Sequence, residues 1–153
     1  MAQHWLMKSE PDEVSIDDLA AAPRQTVPWT GVRNYQARNF MRDRMQPGDD
    51  VLFYHSSCPE PGIAGLATVV GNLRADETQF DPKSPYFDPK STREDPRWVH
   101  VDVKLARKTR LLSLKEMRQA PQLATMRVLQ PGNRLSITPV TPAEWKFIQD
   151  KLV

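Results

Sequence analysis

The sequence predicts an α+β domain built as a small, partly closed β-barrel with flanking helices. About four or five short runs of residues have the apolar or alternating pattern of strands, a number that suits a small barrel. Helix-start signals lie near both ends of the chain and between these runs. The length of 153 residues suits one domain with a buried core, and we expect a single domain over residues 1–153.

The N-terminal part is expected to begin with a strand and a helix. Residues 4–8 predict a strand, and Pro11 ends it because proline lacks the N–H that a strand ladder uses. Ser15 has the position of a helix cap, with two acidic residues, 17–18, in the first turn. This helix is expected to end by Pro23.

A second helix follows an irregular segment. Residues 26–34 show no clear period and contain Trp29 and Gly31. Residues 35–45 place apolar side chains among arginines, which predicts a basic amphipathic helix. Residues 46–49 (QPGD) then predict a turn.

Three strands have the clearest patterns. Residues 50–55 hold a short apolar run typical of a buried strand, and residues 63–70 predict a second strand with Gly65 at a bulge or a close contact. Residues 98–105 alternate between valine or leucine and polar side chains, which predicts a half-buried antiparallel strand.

A long polar segment separates the last two of these strands. Residues 76–96 contain four prolines, and a loop of this length inside a domain is either functional or disordered. Phe80, Tyr86 and Phe87 argue against disorder, because aromatic residues are scarce in disordered segments. These rings and Trp29 serve either as core packing or as surfaces on which a planar ligand stacks.

The C-terminal part predicts short helices and one longer one. Residues 113–119 and 121–129 are helix candidates, and residues 136–137 are expected to be extended. Thr141 begins a capping box with proline at the first helical position, so a helix is expected over residues 142–152.

Composition excludes several classes of protein. No apolar run reaches the length of a membrane span, and no secretory signal begins the chain, so we expect no membrane partner. The single cysteine, Cys58, cannot form an internal disulfide, which favours a reducing compartment such as the cytoplasm or, in a eukaryote, the nucleus. The net charge is only +2, but residues 24–44 and 104–118 are rich in basic side chains. These two segments form either one phosphate-facing surface or two solvated faces.

Few patterns indicate catalysis or metal binding. His4, His55 and His100 are widely separated and match no zinc spacing, so we expect no metal and no cofactor. Residues 55–58 place serines and a cysteine beside a histidine, without an orienting third group. Glu10 is either a functional carboxylate, acting in acid–base chemistry or in ligand binding, or an ordinary solvated residue.

Six segments together carry a specific resemblance. They are WLMKSEP (5–11), WTGVRNYQAR (29–38), GDDVLFYHS (48–56), PGIAG (61–65), FDPKSPYFD (80–88) and PRWV (96–99). In these motifs the chain resembles the EVE domain, a member of the PUA-like superfamily that is similar in fold to the YTH domain. The resemblance implies a PUA-like barrel of about five or six strands with flanking helices.

The resemblance also implies a function and a binding pocket. EVE domains are regarded as readers of modified bases, chiefly modified cytosines in DNA such as 5-methylcytosine, with RNA roles also proposed. Trp29 matches the aromatic that opens the base cage, and Tyr86 lies in the loop where YTH domains place further cage tryptophans. By resemblance the base-binding pocket comprises Lys8, Ser9, Glu10, Trp29, Val32, Asn34, Tyr54, His55, Ser56, Tyr86, Arg134 and Ser136.

Such a pocket must take its base from a single strand or flip it from a duplex. Stacking on Trp29 with Tyr86 on the far side would offset the flipping cost. The expected phosphate-binding residues are Arg33, Arg38, Arg107, Lys108 and Arg110.

The expected partner is therefore a nucleic acid with a modified base, bound by a monomer without catalysis. Two alternatives stay open. One is an RNA-binding module that reads modified RNA. The other is a hydrolase of modified nucleosides that uses Lys8, Glu10 and His55 in acid–base chemistry.

Overall fold

A computed structural model describes residues 2–152, which build one six-stranded mixed sheet. The strands are β1 (His4–Ser9), β2 (Thr26–Pro28), β3 (Asp50–His55), β4 (Gly62–Ala75), β5 (Val99–Ser113) and β6 (Ile137–Val140). Their order is β2-β5-β4-β3-β1-β6. Strands β1 and β3 are parallel, and every other neighbouring pair is antiparallel. The α+β class is confirmed.

Within residues 2–152, four α-helices accompany the sheet: α1 (Ile16–Ala21), α2 (Tyr35–Asp43), α3 (Leu114–Arg118) and α4 (Pro142–Lys151). The predicted caps Ser15 and Thr141 are confirmed, because each accepts the N–H of the third helical residue within a capping box. Within residues 2–152, no helix combines the length and the apolar character that a membrane crossing needs.

Apolar side chains pack on both faces of the sheet. Because successive strand residues point to opposite faces, Trp5 and Phe53 join one core cluster while Leu6 and Leu52 join the other. Helices α1 and α2 cover the first face, and α3 and α4 cover the second. The carboxyl ends of β1 and β3 thus emerge side by side between two packed layers.

Three sequence-based expectations need correction. Strands β4 and β5 run past their predicted ends at residues 70 and 105, because backbone pairing and several bulges continue the ladder. Mostly exposed side chains at residues 71–74 of β4 and 106–110 of β5 hide the strand pattern, before Leu112 returns to the core. The segment at 26–34 contains the short strand β2. Residues 121–129 form two short 3-10 turns, Pro121–Leu123 and Arg127–Leu129, rather than an α-helix.

Closure of the sheet into a barrel is not confirmed. Strands β2 and β6 occupy the two edges of the sheet, and within residues 2–152 they do not pair with each other. Both edge strands are short, and each contains a proline, Pro28 or Pro139. Proline cannot donate to a ladder, so these strands end the sheet.

A buried carboxylate fixes the start of β1 against the turn before β3. The side chain of Asp49 accepts hydrogen bonds from the Trp5 indole N–H at 3.0 Å and from the backbone N–H groups of Gln3 at 3.1 Å and Gln46 at 3.0 Å. Asp49 itself is buried. Its loss would leave three donors without a partner, which is expensive inside a protein.

We therefore expect Asp49→Ala to lower the free energy of unfolding by about 3 kcal/mol. Urea denaturation followed by tryptophan fluorescence measures the change. Asp43→Ala is the control, because Asp43 is exposed and its carboxylate bonds the equally exposed Arg42. Equal stability of the two variants would contradict the proposed role of Asp49.

Candidate functional site

A cavity of about 420 Å³ opens at the carboxyl ends of the parallel strands β1 and β3. Loops diverge from such strand ends and leave a crevice between them. Here one part of the cavity wall is formed by the end of β1, the turn after it and the chain after β3. The other part is formed by β2, the segment that leads into α2, a tyrosine of the long loop after β4 and the chain before β6. The lining residues are 8–10, 13, 14, 27–34, 56, 57, 86, 134 and 136.

The segment after β2 is fixed by backbone and ring contacts. The Trp29 N–H donates to the Val101 carbonyl at 2.8 Å. The indole of Trp29 is buried and meets the Phe53 ring edge to face, at 5.4 Å between centroids. Gly31 has φ +86°, and a Cβ at this position would come within 2.8 Å of the Tyr86 ring. Only glycine fits between this backbone and that ring.

A second buried carboxylate joins this segment to the long loop between β4 and β5. Asp76 has no exposed surface and accepts hydrogen bonds from the Gly31 N–H at 2.8 Å and from Arg33 Nη1 at 3.0 Å. It also accepts from the Thr78 backbone N–H at 2.9 Å and from the Thr78 hydroxyl at 2.5 Å. Burial alone would raise the pKa of Asp76, but these hydrogen bonds hold that pKa below its ordinary value.

The side chain of Arg33 uses its five N–H donors inside the protein. They bond the Val32 and Tyr86 carbonyls, the Asp76 carboxylate and the Thr78 hydroxyl, at 2.7–3.0 Å. A guanidinium has no further donors, so none is left for a phosphate. The expected phosphate-binding role of Arg33 is therefore corrected to a structural one.

Tyr86 closes one side of the cavity. Its hydroxyl donates to Glu13 Oε1 at 2.5 Å, which connects the loop to the turn after β1. Burial and this hydrogen bond to a carboxylate raise the pKa of Tyr86 to about 12. The ring is thereby held against Gly31 before any ligand binds.

The rest of the loop is ordered by Gln79 and Trp98. The buried Gln79 amide donates to the Asp76 and Trp98 carbonyls, each at 2.7 Å, and its oxygen accepts from the Trp98 N–H at 3.0 Å. The Trp98 indole N–H donates to Asp88 at 2.8 Å. The aromatic argument against disorder in residues 76–96 is confirmed by this network.

Polar groups of the cavity keep some of their hydrogen-bonding capacity. Asn34 caps α2, because its side-chain oxygen accepts the Ala37 N–H at 3.0 Å. The two N–H groups of its side-chain amide take no part in this hydrogen bond. The Ser9 hydroxyl donates to the Val14 carbonyl at 2.6 Å and can still accept. Burial lowers the pKa of the Lys8 ammonium.

Ten of the twelve residues expected in the pocket line this cavity. They are Lys8, Ser9, Glu10, Trp29, Val32, Asn34, Ser56, Tyr86, Arg134 and Ser136. The lining residues that were not expected in the pocket include Glu13 and Ser57, and also Val14, Val27, Pro28, Thr30 and Gly31. Glu13 lies near Glu10 in an acidic stretch, and no sequence pattern distinguishes it. Ser57 directly follows the motif at residues 48–56, which was a signal that could have found it.

Tyr54 and His55 do not line the cavity, which corrects two expectations. Tyr54 points to the opposite face of the sheet and belongs to the second core cluster. His55 lies beneath the start of α1, where its Nε2 accepts the Ile16 N–H at 3.1 Å. Burial lowers the pKa of His55, so the ring is neutral and its acceptor nitrogen is occupied.

The remaining expected phosphate ligands differ in how far they are already bonded within the protein. Arg38 bonds Asn39 and the Arg97 carbonyl and forms no ion pair within residues 2–152. Arg107 is exposed, and Lys108 pairs with Asp17 at 2.6 Å. Arg110 pairs with Glu116 at 3.1 Å and bonds the Lys151 carbonyl of α4. Of the five expected residues, Arg33, Lys108 and Arg110 are thus paired with carboxylates of the protein, whereas Arg38 and Arg107 form no ion pair within residues 2–152.

Comparison with known proteins identifies relatives of the whole chain. A family model described as the EVE domain matches residues 3–151. Human thymocyte nuclear protein 1 is 45% identical, over 97% of this chain and 73% of its own length. A solved structure of a hypothetical protein from Leishmania major has a TM-score of 0.93 and 47% identity, covering 99% of this chain and 94% of its own. Human THYN1 protein in complex with DNA containing 5-methylcytosine has a TM-score of 0.90 and 45% identity, covering 98% and 97%.

We expect Asp76→Asn to destabilise the fold by about 3 kcal/mol at neutral pH, because the amide removes the charge that pairs with Arg33. The pKa of Asp76 is lower in the folded protein than the value of about 3.9 in an unfolded chain. Its stabilisation is therefore present above that pH and is lost as the pH falls through the folded pKa.

Urea denaturation across this pH range tests the expectation. The wild type and Asp76→Asn should differ at neutral pH and converge in acid. Asp95→Asn, an exposed position in the same loop, is the matched control and should follow the wild type throughout. A constant gap between wild type and Asp76→Asn at every pH would show that charge at Asp76 does not matter.

Proposed function

The chain belongs to the EVE domain family, and from that premise we propose that it is a non-catalytic module that recognises a modified cytosine in DNA. The proposal extends to this chain the DNA partner of human THYN1, which was crystallised with DNA containing 5-methylcytosine. The 45% identity runs over nearly the full length of both chains. The expected aromatic pocket, the monomeric state and the choice between DNA and RNA belong to the same proposal.

The cavity at the ends of β1 and β3 is the observation that carries the proposal. Its volume of about 420 Å³ lies in the range of small-ligand sites, about 300–1,000 Å³. Two aromatic residues, Trp29 and Tyr86, line it, and both are held by the folded protein. A base that enters would stack on rings that lose little freedom on binding, and stacking contributes about 1–3 kcal/mol per base.

Polar and apolar groups of the cavity match the edges of a methylated cytosine. The Asn34 amide N–H groups can donate to the base carbonyl or ring nitrogen, and the Glu10 carboxylate can accept from the exocyclic amino group. Val27 and Val32 offer an apolar wall for the methyl group. The site thus offers one partner for each part of the base.

Binding of the strand itself relies on basic residues near the cavity. Arg134 lines the cavity and is exposed, and it forms no hydrogen bond or ion pair with other residues of the described chain. Its guanidinium is free to contact the phosphate of the extruded nucleotide. Lys8 and Arg38 add positive charge, and Arg107 is a more distant candidate.

Catalysis is not part of the proposal. His55 is one of the three residues named for acid–base chemistry, but its acceptor nitrogen binds the Ile16 N–H beneath α1, outside the cavity wall. Lys8 and Glu10 line the cavity without it. A binding role needs no further group, whereas hydrolysis would need an activated nucleophile.

We expect Trp29→Phe to weaken binding of methylcytosine DNA several-fold and Trp29→Ala to weaken it about tenfold or more, because stacking area is lost. Fluorescence anisotropy of a labelled single-stranded oligonucleotide, with 5-methylcytosine or cytosine at one position, measures both affinity and methyl preference. Trp145→Ala is the matched control, because Trp145 stacks on His4 and does not line the cavity.

The same assay separates the alternatives. Unchanged methyl preference in both Trp29 variants would reject the cavity as the reading site. Tighter binding of methylated RNA than of methylated DNA would favour the RNA-binding module. Release of a free base or a new nucleoside product, followed by chromatography, would favour the hydrolase.

We expect Arg134→Gln to make the slope of log affinity against log salt concentration shallower by about 1, the value for one lost phosphate contact. The preference for the methylated base should not change. Arg110→Gln serves as the control, because Arg110 is bonded to Glu116 and to the end of α4. Affinities at several salt concentrations give the slope. Loss of methyl preference in Arg134→Gln would instead assign this side chain to base reading.

A further inference from the structure

A row of stacked side chains runs from the cavity to the protein surface. The Tyr86 ring, which lines the cavity, lies 5.5 Å from the Arg33 guanidinium carbon, which lies 5.3 Å from the Trp98 ring. Trp98 in turn stacks on Tyr35, with 4.8 Å between centroids and 25° between planes. The row alternates aromatic and cationic groups up to Trp98, and Tyr35 is its outer end.

Tyr35 is exposed although it is held in place. With 51% of its surface accessible, it is the most exposed large apolar or aromatic residue within residues 2–152. The Arg38 guanidinium lies 4.7 Å from its ring centre and is fixed by hydrogen bonds to Asn39 and to the Arg97 carbonyl at 3.0 Å. An exposed ring supported by a tryptophan and an arginine resembles the stacking platforms that bind single-stranded nucleic acids.

Charge around Tyr35 favours a polyanion. Arg38 and Arg97 form no ion pair within the described part of the chain, although Asp43 and Asp88 lie near enough to act on them electrostatically. The partner must offer both a flat ring and a negative backbone, and an unpaired stretch of nucleic acid has both.

The position of Tyr35 relates it to the cavity. Asn34 lines the cavity, and Tyr35 is the next residue along the chain. Consecutive Cα atoms lie about 3.8 Å apart. Tyr35 therefore begins α2 directly after a cavity residue, within reach of a strand that has one base in the cavity.

We propose that Tyr35, supported by Trp98 and Arg38, is a second stacking site that takes the base adjacent to the modified base. This proposal rests on the proposed function, since it needs a base in the cavity. The adjacent base is then unstacked from its own neighbours and held by the protein. The site reads no hydrogen-bonding edge, so it prefers larger purine rings over pyrimidines through stacking strength alone.

The experiment compares Tyr35→Ala with Tyr35→Phe on single-stranded DNA that carries one 5-methylcytosine. Three further strands lack the base on its 5′ side, on its 3′ side or on both sides, with the backbone intact. For the wild type we expect one single-sided abasic strand to bind about tenfold more weakly than the intact strand. Tyr35→Ala should bind that abasic strand and the intact strand equally, and Tyr35→Phe should behave as the wild type.

Phe87→Ala is the matched control, because Phe87 is also exposed and lies outside the row of stacked side chains. The proposal is overturned if Tyr35→Ala loses affinity equally for intact and abasic strands, as a merely structural role would require. It is also overturned if Phe87→Ala reproduces the Tyr35→Ala pattern, since binding would then follow general exposed surface.

Failure of the proposed function has a different signature. In that case the wild type would bind intact strands with and without the methyl group equally, whatever happens at Tyr35. A methyl preference that persists in Tyr35→Ala, together with loss of the neighbour effect, supports both proposals. Stronger binding of the matching RNA strand would retain the second stacking site and change its natural partner.

Discussion

The cavity depends on one buried carboxylate. Asp76 accepts hydrogen bonds from Gly31 and Arg33 and so joins two parts of the chain that are 45 residues apart. A carboxylate without water must be compensated by such partners, because an unpaired buried charge is costly. The segment after β2 and the long loop after β4 therefore form one folded unit, and the cavity wall is part of that unit.

This anchoring divides the basic residues into two groups. Arg33 is fully bonded inside the protein, whereas Arg38, Arg97 and Arg134 form no ion pair within residues 2–152 and stay free to attract a polyanion. The aromatic groups are fixed in the same way, with Tyr86 bonded to Glu13. In the proposed reader, these side chains therefore lose little conformational freedom when the strand binds.

Sequence patterns predicted those helices and strands whose positions are determined by nearby residues. Capping boxes placed α1 and α4, and the alternation within residues 98–105 placed the first half of β5. The second half of β5 could not be found, because residues 106–110 are mostly exposed and join the sheet through backbone pairing, so they show no buried face.

The candidate site was predicted from the family resemblance, and its two failures have a physical reason. Motifs give sequence positions but not directions. Tyr54 ends on the far face of the sheet by strand alternation, and His55 is covered by α1, a helix that lies far away in sequence. Ion pairing is equally nonlocal, so the sequence could not show that Arg33 is occupied by Asp76.

The two carboxylates at the cavity bear on its selectivity, because a methylcytosine reader must also reject thymine. Both bases carry the same 5-methyl group, so an apolar wall such as Val32 cannot tell them apart. They differ at the neighbouring position, where cytosine has an amino donor and thymine a carbonyl acceptor. The carboxylates of Glu10 and Glu13 repel phosphate. Either carboxylate can accept a hydrogen bond from the amino group of cytosine. With thymine, the carboxylate would meet a carbonyl, and two acceptors cannot form a hydrogen bond. In the proposed reader the acidic residues therefore favour cytosine over thymine, while Arg134 and Arg38 supply the attraction for phosphate that the carboxylates reduce.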